Sequence, residues 1–511
     1  MADKVRNLSC LRLFGFTDMK RIVYLLSCLL PVLAACHKNE KEEKPVTGIA
    51  VADEFAGDVL SSWYLWSKEI SNSISRLDPG TCTDPVGVVR EIRYHANGKE
   101  VDHWTELMEN LDEFSQSVQG LGVSYGYDLQ YGRFTDTDTY FLLVTYVAKD
   151  SPARKAGIKR GDIFLSINGA PITKDNIDEA FSSRSITLGF GKIVPGPGSD
   201  FSIDKDDRTV SLTAVDMYED PILLTRTFDV NGKKVGYMVY NGFDLKSART
   251  LADSCAFLKA AGIKELILDL RYNGGGYEFT ERVLASLLAP EANVKAGDVF
   301  QTEVFNSEMA AMLKEQGYAT STNFSTTHKS PQEAGAFTVD VSDANPGIGK
   351  LYVIVSAGTA SASEGLLVGL APYLDITTVG TKTHGKYCAG YMLKPSDYYS
   401  EKHYKENIAA FSLIKDWGIY VMVSKFADKD GKNAAEPDGI LAGVQVKDNP
   451  LDGCQLGDEN ETMLKAALQS AGKIYTKADD WTAVPHRETA GLPRRPDVLI
   501  KEGISPEFNK L

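Results

Sequence analysis

The chain contains 511 residues, of which 43% are hydrophobic and 24% are charged. These proportions exclude a largely disordered, collagenous or polytopic membrane protein, and the length predicts about two to four domains. A count of 69 acidic against 55 basic residues gives a net charge of −14, which disfavours nucleic-acid binding. The seven cysteines include no CxxC pair that would indicate a zinc site.

The beginning of the chain has the pattern of an export signal. Met19-Lys20-Arg21 precede an apolar run over residues 22–33, and Ala34-Ala35-Cys36 follow it. A basic start, a short apolar run and small residues before a cleavage point are typical of a secretory signal peptide, and this run is too short to span a bilayer comfortably. Residues 1–35 are therefore predicted to be a signal peptide, with a buried helix or an uncleaved anchor as the alternative.

Leu33 to Cys36 also resembles a bacterial lipobox, in which the cysteine carries lipid. The resemblance implies that Cys36 is the lipidated mature N-terminus and that Met19 is the initiator, with residues 36–47 as a polar linker. We therefore expect an exported lipoprotein of a Gram-negative cell envelope. Its lipid would anchor it to the outer membrane, facing the periplasm or the cell surface.

Residues 48–104 are predicted to form a helical region. Val51, Phe55 and Val59 recur at helical spacing, and the cluster Trp63-Tyr64-Leu65-Trp66 follows them. The aromatic cluster is interpreted as packing against a neighbouring element, with a ligand site as the alternative.

Residues 105–215 are rich in strand patterns, among them the run 140–147. The segment from Ser151 to Gly169 indicates a short helix, a glycine turn, a strand and an Asn-Gly hairpin turn. This region resembles a PDZ domain, which binds an extended peptide as an added strand and holds its terminal carboxylate in backbone amides. Gly120, Leu121, Gly122 and Val123 lie where that carboxylate-binding loop is expected, and ordinary turn glycines are the alternative.

Residues 222–450 alternate strands and helices, an order that indicates an α/β core with parallel crossovers. The fold class is therefore α/β multidomain. Within the core, residues 300–346 carry few periodic signals and are expected to form a long surface excursion. Residues 451–511 are predicted to hold a helix from Glu461 to Ala471 and a tail. The core elements are strands 234–240, 266–271, 351–356 and 375–380 and helices 244–261 and 361–374.

Two segments of the core carry candidate catalytic side chains. The strand 351–356 turns into a helix through small residues that include Ser361, and a serine at such a corner either caps the helix or meets developing negative charge at its positive end. Lys386 follows Ser361 by 25 residues, directly after Gly385. A serine hydroxyl needs a base to take its proton, and a lysine can do so when burial favours the neutral amine.

A third segment, Asp269 to Gly276, lies at another strand end and contains three consecutive glycines. Glycines expose backbone amides, which an oxyanion hole needs, although such a run alone is most often a flexible turn. No Gly-Lys-Ser/Thr follows, so the run is not a phosphate-binding loop.

Together these segments resemble the C-terminal processing peptidases, also called tail-specific proteases, over about residues 105–450. In that family a PDZ domain precedes a Ser–Lys protease core of the ClpP/crotonase-like type. The family motifs are a DLR-x-N-x-GG strand end, an (S/T)-A-S-A-S-E corner and a Gly-Lys pair. They occur here in that order at Asp269–Gly276, Thr359–Glu364 and Gly385-Lys386, and Glu436-Pro437-Asp438 resembles the Pro-Asp stretch that follows in the family.

The resemblance implies a serine endopeptidase that captures unstructured or C-terminal segments of protein substrates and cuts them through an acyl-enzyme. It implies no metal or other cofactor and no nucleic-acid partner, and the sequence indicates no oligomeric state. Glu364 has a second interpretation, a favourable charge in the first helical turn. By position, the implied roles are nucleophile for Ser361, general base for Lys386, support for Glu364, and oxyanion amides for Ala362 with Gly275 or Gly276.

Two departures from the family pattern leave alternatives open. His384 stands where an aromatic or apolar residue is usual and suggests a Ser–His pair, but no matching acid is apparent, so Lys386 stays the expected base. Cys388 can pair with Cys454 or Cys82 in an oxidising compartment, or remain a buried thiol. The competing functions are an inactive PDZ scaffold that holds peptides and a glycan- or nutrient-binding lipoprotein with its ligand site at helix 55–66.

Overall fold

The structure, a computed structural model, describes residues 46–134, 139–195, 201–331, 335–474, 490–491 and 498–501. The predicted signal peptide, the predicted lipidation site Cys36 and nearly all of the predicted linker lie outside these residues. Within the described ranges, no helix is long and apolar enough to cross a membrane.

The N-terminal region is mainly helical and is packed into the core of the molecule. Its first helix, Gly48–Ser62, begins at Thr47, whose hydroxyl accepts a hydrogen bond from the Ala50 amide at 3.2 Å. Phe55 and all four residues of the aromatic cluster 63–66 are buried, which confirms the packing interpretation. The other elements are helices Ser71–Ile74, Pro85–Ile92 and Leu111–Val118 and strands His95–Ala96, Lys99–Glu100 and Glu106–Met108.

Residues 105–215 contain an antiparallel sheet around its own apolar cluster. The predicted Asn-Gly turn is present: Asn168 and Gly169 both have positive φ, 52° and 85°, as a two-residue hairpin turn requires. Short helices Pro152–Lys155 and Glu179–Ser182 accompany the sheet. In spatial order the strands are Phe201–Thr213, Ser185–Pro195, Ile163–Ile167, Tyr140–Val147, Tyr127–Arg133 and Ala490–Gly491, with Ala170–Pro171 paired to the third.

The α/β core contains a six-stranded sheet, as the alternating pattern predicts. Its first two strands pair antiparallel and the others are parallel, so their carboxyl ends lie at one edge. Helices Ser247–Ala260 and Ala362–Leu370 make the crossovers. In spatial order the strands are Ile222–Val230, Lys233–Tyr240, Glu265–Asp269, Lys350–Val355, Asp375–Gly380 and Val444–Gln445.

A second, mixed sheet covers the core and corrects the expected surface excursion. Residues 300–346 include the strand Val299–Phe305 and the helix Ser307–Gln316, and their side chains Phe300 and Phe324 are buried. The prediction fails because each of these two elements buries only two residues, which leaves little periodicity to detect. In spatial order the strands are Gly275–Tyr277, Val498–Ile500, Cys388–Leu393, Gly418–Ala427, Val299–Phe305 and Ser321–Asn323, with Glu106–Met108 paired to the fourth.

The remaining elements are short, apart from the core helix Glu278–Leu288 and the C-terminal helix. The predicted C-terminal helix is observed at Thr462–Ser470. The others are helices Glu278–Leu288, Glu291–Ala296, Pro395–Tyr398, Glu401–Glu406 and Ile408–Phe411, 3₁₀ turns Ser412–Ile414 and Pro450–Asp452, and strands Leu121–Ser124, Val215–Tyr218, Thr327–Lys329 and Thr338–Asp340.

A buried ion network joins the antiparallel domain to the core. Arg271 donates to Asp269 at 2.7 Å, to Glu461 at 2.6 Å and to Asp448 at 2.9 Å. Arg160, from the antiparallel domain, donates to the same Asp448 oxygen at 2.6 Å. The side chains of this network, except that of Asp448, are at most 3% exposed. Removing any one of them therefore leaves a buried charge without its counter-charge.

We expect this network to make stability fall in acid. Burial raises the pKa of Asp448, but Arg160 and Arg271 outweigh it and hold that pKa below its ordinary value; the pKa of Glu461 is lowered in the same way. A depressed carboxylate pKa stabilises the fold above the unfolded-state pKa, so this stability is lost as pH falls below about 4. The measurement is the free energy of unfolding in urea between pH 7 and pH 2.

The Asp448→Asn variant tests whether the ion network causes the loss of stability in acid. It should lose about 3–5 kcal/mol at pH 7 and show a shallower dependence on pH. Glu406→Gln, which removes one partner of an exposed pair with Lys402, should change stability by less than about 1 kcal/mol. An unchanged pH dependence in Asp448→Asn would show that other carboxylates cause the acid loss.

Candidate active site

Ser361 lies at a strained corner between a core strand and the helix Ala362–Leu370. Its backbone has φ = 61° and ψ = −114°, a combination that non-glycine residues seldom adopt. The side chain is fully buried, and its Oγ has no hydrogen-bond partner among the described residues. The serine at this strained helix start thus has an uncommitted hydroxyl among the described residues, and its role as nucleophile stays a prediction.

Glu364 joins the serine corner to the lysine loop. Its Oε2 accepts the amides of Ser361 at 3.0 Å and Lys386 at 2.9 Å. Its Oε1 accepts the Gly385 amide at 2.8 Å and the Thr383 hydroxyl at 2.5 Å. Burial raises the pKa of Glu364, and these hydrogen bonds oppose that shift. All four partners donate, so the carboxyl group acts as an acceptor at both oxygens.

Lys386 is completely buried beside aromatic rings. Its Nζ donates to the Tyr420 hydroxyl at 3.1 Å and lies 4.9 Å from the centre of that ring. It also lies 5.2 Å from the ring of Trp104. Because the Ser361 Oγ has no partner, Lys386 is not hydrogen-bonded to it in this arrangement.

The Trp104 side chain comes from the N-terminal region, and the sequence pattern does not reveal this contribution. Asp102 is buried and accepts the amides of Trp104 at 2.9 Å and Thr105 at 3.0 Å, as well as the Tyr64 hydroxyl at 2.8 Å. The next residues, Glu106–Met108, add a strand to Gly418–Ala427, which carries Tyr420. A single buried acid before an aromatic residue is too common a pattern to indicate a site.

Asn273 fixes the glycine turn beside the serine corner. Its carbonyl accepts the Ala360 amide at 3.1 Å and the Ser363 hydroxyl at 3.0 Å. Its Oδ1 accepts the Gly275 amide at 2.9 Å, so this amide is already bonded. This bond commits the Gly275 amide to the turn, whereas Gly276 lies in the strand that pairs with Val498–Ile500.

The backbone at position 276 leaves no room for a side chain. Its φ is 144°, and a Cβ atom there would lie 2.3 Å from the carbonyl oxygen of Phe243. Ala362, the other candidate, is the first residue of its helix, where amides lack intrahelical partners. The oxyanion roles of Gly275, Gly276 and Ala362 stay predictions.

The predicted carboxylate-binding loop lies outside the main antiparallel sheet. Leu121–Ser124 pairs with Val215–Tyr218 as a separate two-stranded ribbon. In the sequence, these two strands precede and follow the strands 127–213 of the main sheet. The side chains of Leu121 and Val123 are each 37% exposed. Peptide binding by Gly120 to Val123 stays a prediction.

His384 and Cys388 are the two positions for which the sequence leaves alternative roles open. His384 is exposed and its ring lies 6.4 Å from that of Trp104, while its amide donates to the Thr359 carbonyl at 2.9 Å. Cys388 is a buried free thiol whose pKa is raised by burial, and the described cysteines 82, 255 and 454 are free as well. The structure therefore shows the buried-thiol alternative for Cys388.

The described residues bring together the three segments that the motifs identify. The corner at Ser361, the loop at Lys386 and the glycine turn after Asn273 meet at the carboxyl edge of the parallel strands, where α/β proteins commonly bind ligands. In the same described ranges, no group of three or more His, Cys, Asp or Glu side chains is arranged to hold a metal ion. The fold and the site define an α/β peptidase core that carries a PDZ domain.

Comparison with known proteins supports that class. Residues 234–446 match the model of peptidase family S41, and residues 143–183 match a PDZ domain model. These two matches support a C-terminal processing peptidase family for this chain. The crystal structure of a Bacteroides fragilis NCTC 9343 protein described as an S41 protease has the same fold, with a TM-score of 0.62 and 22% identity over 82% of this chain and 96% of that chain.

Two curated relatives are similar at lower coverage. The "Probable CtpA-like serine protease" of Staphylococcus aureus strain N315 is 26% identical over 379 residues, which are 71% of this chain and 62% of the relative. The carboxy-terminal processing protease CtpA of Bacillus subtilis strain 168 is 25% identical over 283 residues, 55% of this chain and 50% of the relative. The chain thus spans less than two thirds of the length of either relative.

The strain at Ser361 can be measured by comparing two variants at this position. Glycine adopts positive φ without penalty, whereas alanine keeps the strain, so Ser361→Gly should be more stable than Ser361→Ala by about 1 kcal/mol. The measurement is the free energy of unfolding of both full-length variants.

Ser61 provides the matched control, because it is exposed within the helix Gly48–Ser62. There the order should reverse, with glycine less stable than alanine by about 1 kcal/mol. The same order at both sites would contradict the strained conformation of Ser361.

Proposed function

We propose that the protein is an exported serine endopeptidase that uses Ser361 as nucleophile and Lys386 as general base. Its substrates would be protein segments that are unstructured or lie at a C-terminus. The match to peptidase family S41 supports peptidase activity, and the site geometry supports the assignment of these two side chains.

The observation that carries the proposal is the bridge made by Glu364. One carboxylate oxygen binds the backbone amides of both Ser361 and Lys386. A capping role needs only the amide at the helix start, so it does not explain the bonds to Gly385 and Lys386. Glu364 is therefore proposed as the positioning residue that holds nucleophile and base at a constant separation.

The proposed reaction follows from the chemistry of these groups. The neutral Lys386 amine takes the proton of the Ser361 hydroxyl as Oγ attacks the substrate carbonyl carbon. The amides of Gly276 and Ala362 would stabilise the resulting oxyanion. Lys386 then gives its proton to the departing amine, and the acyl group stays bonded to Ser361. Water next attacks the acyl carbon while Lys386 takes a proton from it. Lys386 returns that proton to the Ser361 Oγ as the acyl product is released.

The observed arrangement precedes that reaction. The Lys386 amine is hydrogen-bonded to Tyr420 and not to Ser361, and it lies beside the rings of Trp104 and Tyr420. Catalysis therefore requires rotation of the lysine side chain towards Ser361, which the anchored Lys386 backbone permits. A substrate that binds the rotated arrangement better would shift the population towards it.

Substrate capture is proposed for the PDZ domain, which would add a peptide as a strand and hold its carboxylate near Gly120 to Val123.

Export and lipidation at Cys36 are proposed from the leader pattern alone, with the lipid tethering the protein to the cell envelope. Replacing Cys36 by alanine should abolish incorporation of labelled palmitate in cells, whereas Cys82→Ala should not. Equal incorporation in both variants would contradict lipidation at Cys36.

The catalytic assignment is tested with full-length variants and a disordered peptide substrate. Ser361→Ala should abolish cleavage and labelling by a fluorophosphonate, because both need the nucleophile. Lys386→Met should lower kcat by about a hundred-fold or more, because proton transfer is lost. The measurements are kcat and KM from a fluorogenic peptide, together with gel-based labelling.

Two neighbours serve as controls. Lys382 is exposed on the same loop, so Lys382→Met should retain activity within about two-fold. His384→Ala should lose less than about ten-fold, whereas a Ser–His mechanism requires a loss as large as that of Lys386→Met. Absence of labelling and of cleavage in the unaltered protein would favour the inactive scaffold.

A further inference from the structure

The described end of the C-terminal tail lies inside the second sheet. Val498–Ile500 forms a strand between Gly275–Tyr277 and Cys388–Leu393 and runs parallel to both. Among the described strands, Gly275–Tyr277 is joined to the rest of this sheet only through the tail. The tail therefore fills a position that is one strand wide.

The two strands that flank the tail carry the two halves of the proposed active site. Gly276, the proposed oxyanion donor, is in register with Leu499. Cys388–Leu393 begins two residues after Lys386. Without the tail, these two strand edges would be separated by about 10 Å, twice the spacing of neighbouring strands, and would present unpaired backbone groups. Such a slot is complementary to an extended peptide.

The next residue of the tail, Lys501, enters an acidic pocket at the end of the slot. Its Nζ lies 3.1 Å from Glu278 Oε2 and 2.5 Å from Glu303 Oε1, and its amide donates to the Gly390 carbonyl at 2.9 Å. Only 8% of Lys501 is exposed. Burial disfavours the ammonium group, but the two carboxylates outweigh it and raise the pKa of Lys501 above its ordinary value.

The protein positions both carboxylates independently of the tail. Glu278 begins the helix Glu278–Leu288, and its Oε1 accepts the Thr322 hydroxyl at 3.1 Å. Glu303 Oε1 accepts the Ser424 hydroxyl at 2.7 Å. Arg282 contributes positive charge near Glu278, and the Tyr391 hydroxyl lies near Lys501. The pocket is thus built from three separate parts of the core, with two carboxylates facing one ammonium group.

We propose that the slot is the substrate channel and that Glu278 and Glu303 form its subsite for a lysine or arginine side chain of the substrate. In the resting protein the subsite is filled by Lys501. The inference rests on the proposed function, because it names which peptides the same site accepts. In the register of the tail, the basic side chain lies two residues from the residue opposite Gly276.

A second contact of the same tail agrees with this assignment. Ala490–Gly491 pairs antiparallel with Tyr127–Arg133, at the edge of the antiparallel sheet. Strand addition at a sheet edge is the way in which PDZ domains bind peptides. The tail therefore occupies two peptide-accepting edges in one chain, as an internal peptide would.

The subsite is tested with fluorogenic peptides that carry one lysine, moved through three positions on each side of the cleavage site. Matched peptides carry norleucine, which has a similar length and no charge. We expect lysine to raise kcat/KM at a single position by about ten-fold or more, and Glu278→Gln with Glu303→Gln to abolish that ratio. Glu315→Gln, an exposed change on the neighbouring helix Ser307–Gln316, should retain it. Equal rates at all positions would overturn the subsite while leaving the proposed function intact.

Occupancy by the tail is tested in the full chain without relying on cleavage. Lys501→Glu places a third negative charge in the pocket, so hydrogen exchange of the peptide containing residues 498–501 should accelerate by about ten-fold or more. The same variant should cleave the lysine peptide faster than the unaltered protein. Lys501→Met, which keeps the apolar stem, should show the same changes to a smaller degree. Unchanged exchange in both variants would overturn the tail assignment, whereas faster exchange with no cleavage by any form would contradict only the proposed function.

Discussion

The carboxylate of Glu364 is the contact on which the arrangement of the site depends. It sits in the first turn of a buried helix and receives four hydrogen bonds, from the Ser361, Gly385 and Lys386 amides and the Thr383 hydroxyl. Such charge-assisted bonds are stronger than neutral ones, and they reduce the cost of burying the carboxylate. The strained backbone at Ser361 persists because its amide is held at this point. The Ser361 corner and the Lys386 loop are thereby coupled through one side chain.

The surroundings of that contact come from every part of the described chain. The N-terminal region supplies Trp104, and the buried Asp102 holds it against the lysine. The antiparallel domain supplies Arg160, which shares Asp448 with Arg271 at the strand end that leads to the glycine turn. Each of these buried charges is costly alone and acceptable only with its partners present. The site therefore forms only when the separate regions are docked.

The sequence predicts those parts of the site that follow from local pattern. Apolar strands that end in small residues place Ser361 and the glycine turn at one sheet edge, and both predicted crossover helices are observed near their expected bounds. What it does not predict depends on contacts between distant segments. Trp104 reaches the site through a strand pairing made 310 residues later in the chain, at Met108↔Gly418. The strands Ser321–Asn323, Thr327–Lys329, Thr338–Asp340 and Val498–Ile500 have only three residues each, and pairing defines them more than propensity does.

The tail and the Lys386 side chain are linked through one strand of the second sheet. The strand Cys388–Leu393 pairs with the tail on one edge, and it begins just after Lys386, whose amine points to Tyr420 on the next strand. A peptide can enter the slot only by replacing the tail, so its apparent affinity is reduced by the fraction of molecules in which the tail is bound. A ligand shifts this equilibrium only by its differential affinity for the two states. A basic peptide that makes the pocket contacts of Lys501 and also contacts the catalytic groups has that advantage, whereas a peptide without a basic side chain competes against an occupied acidic pocket and gains less.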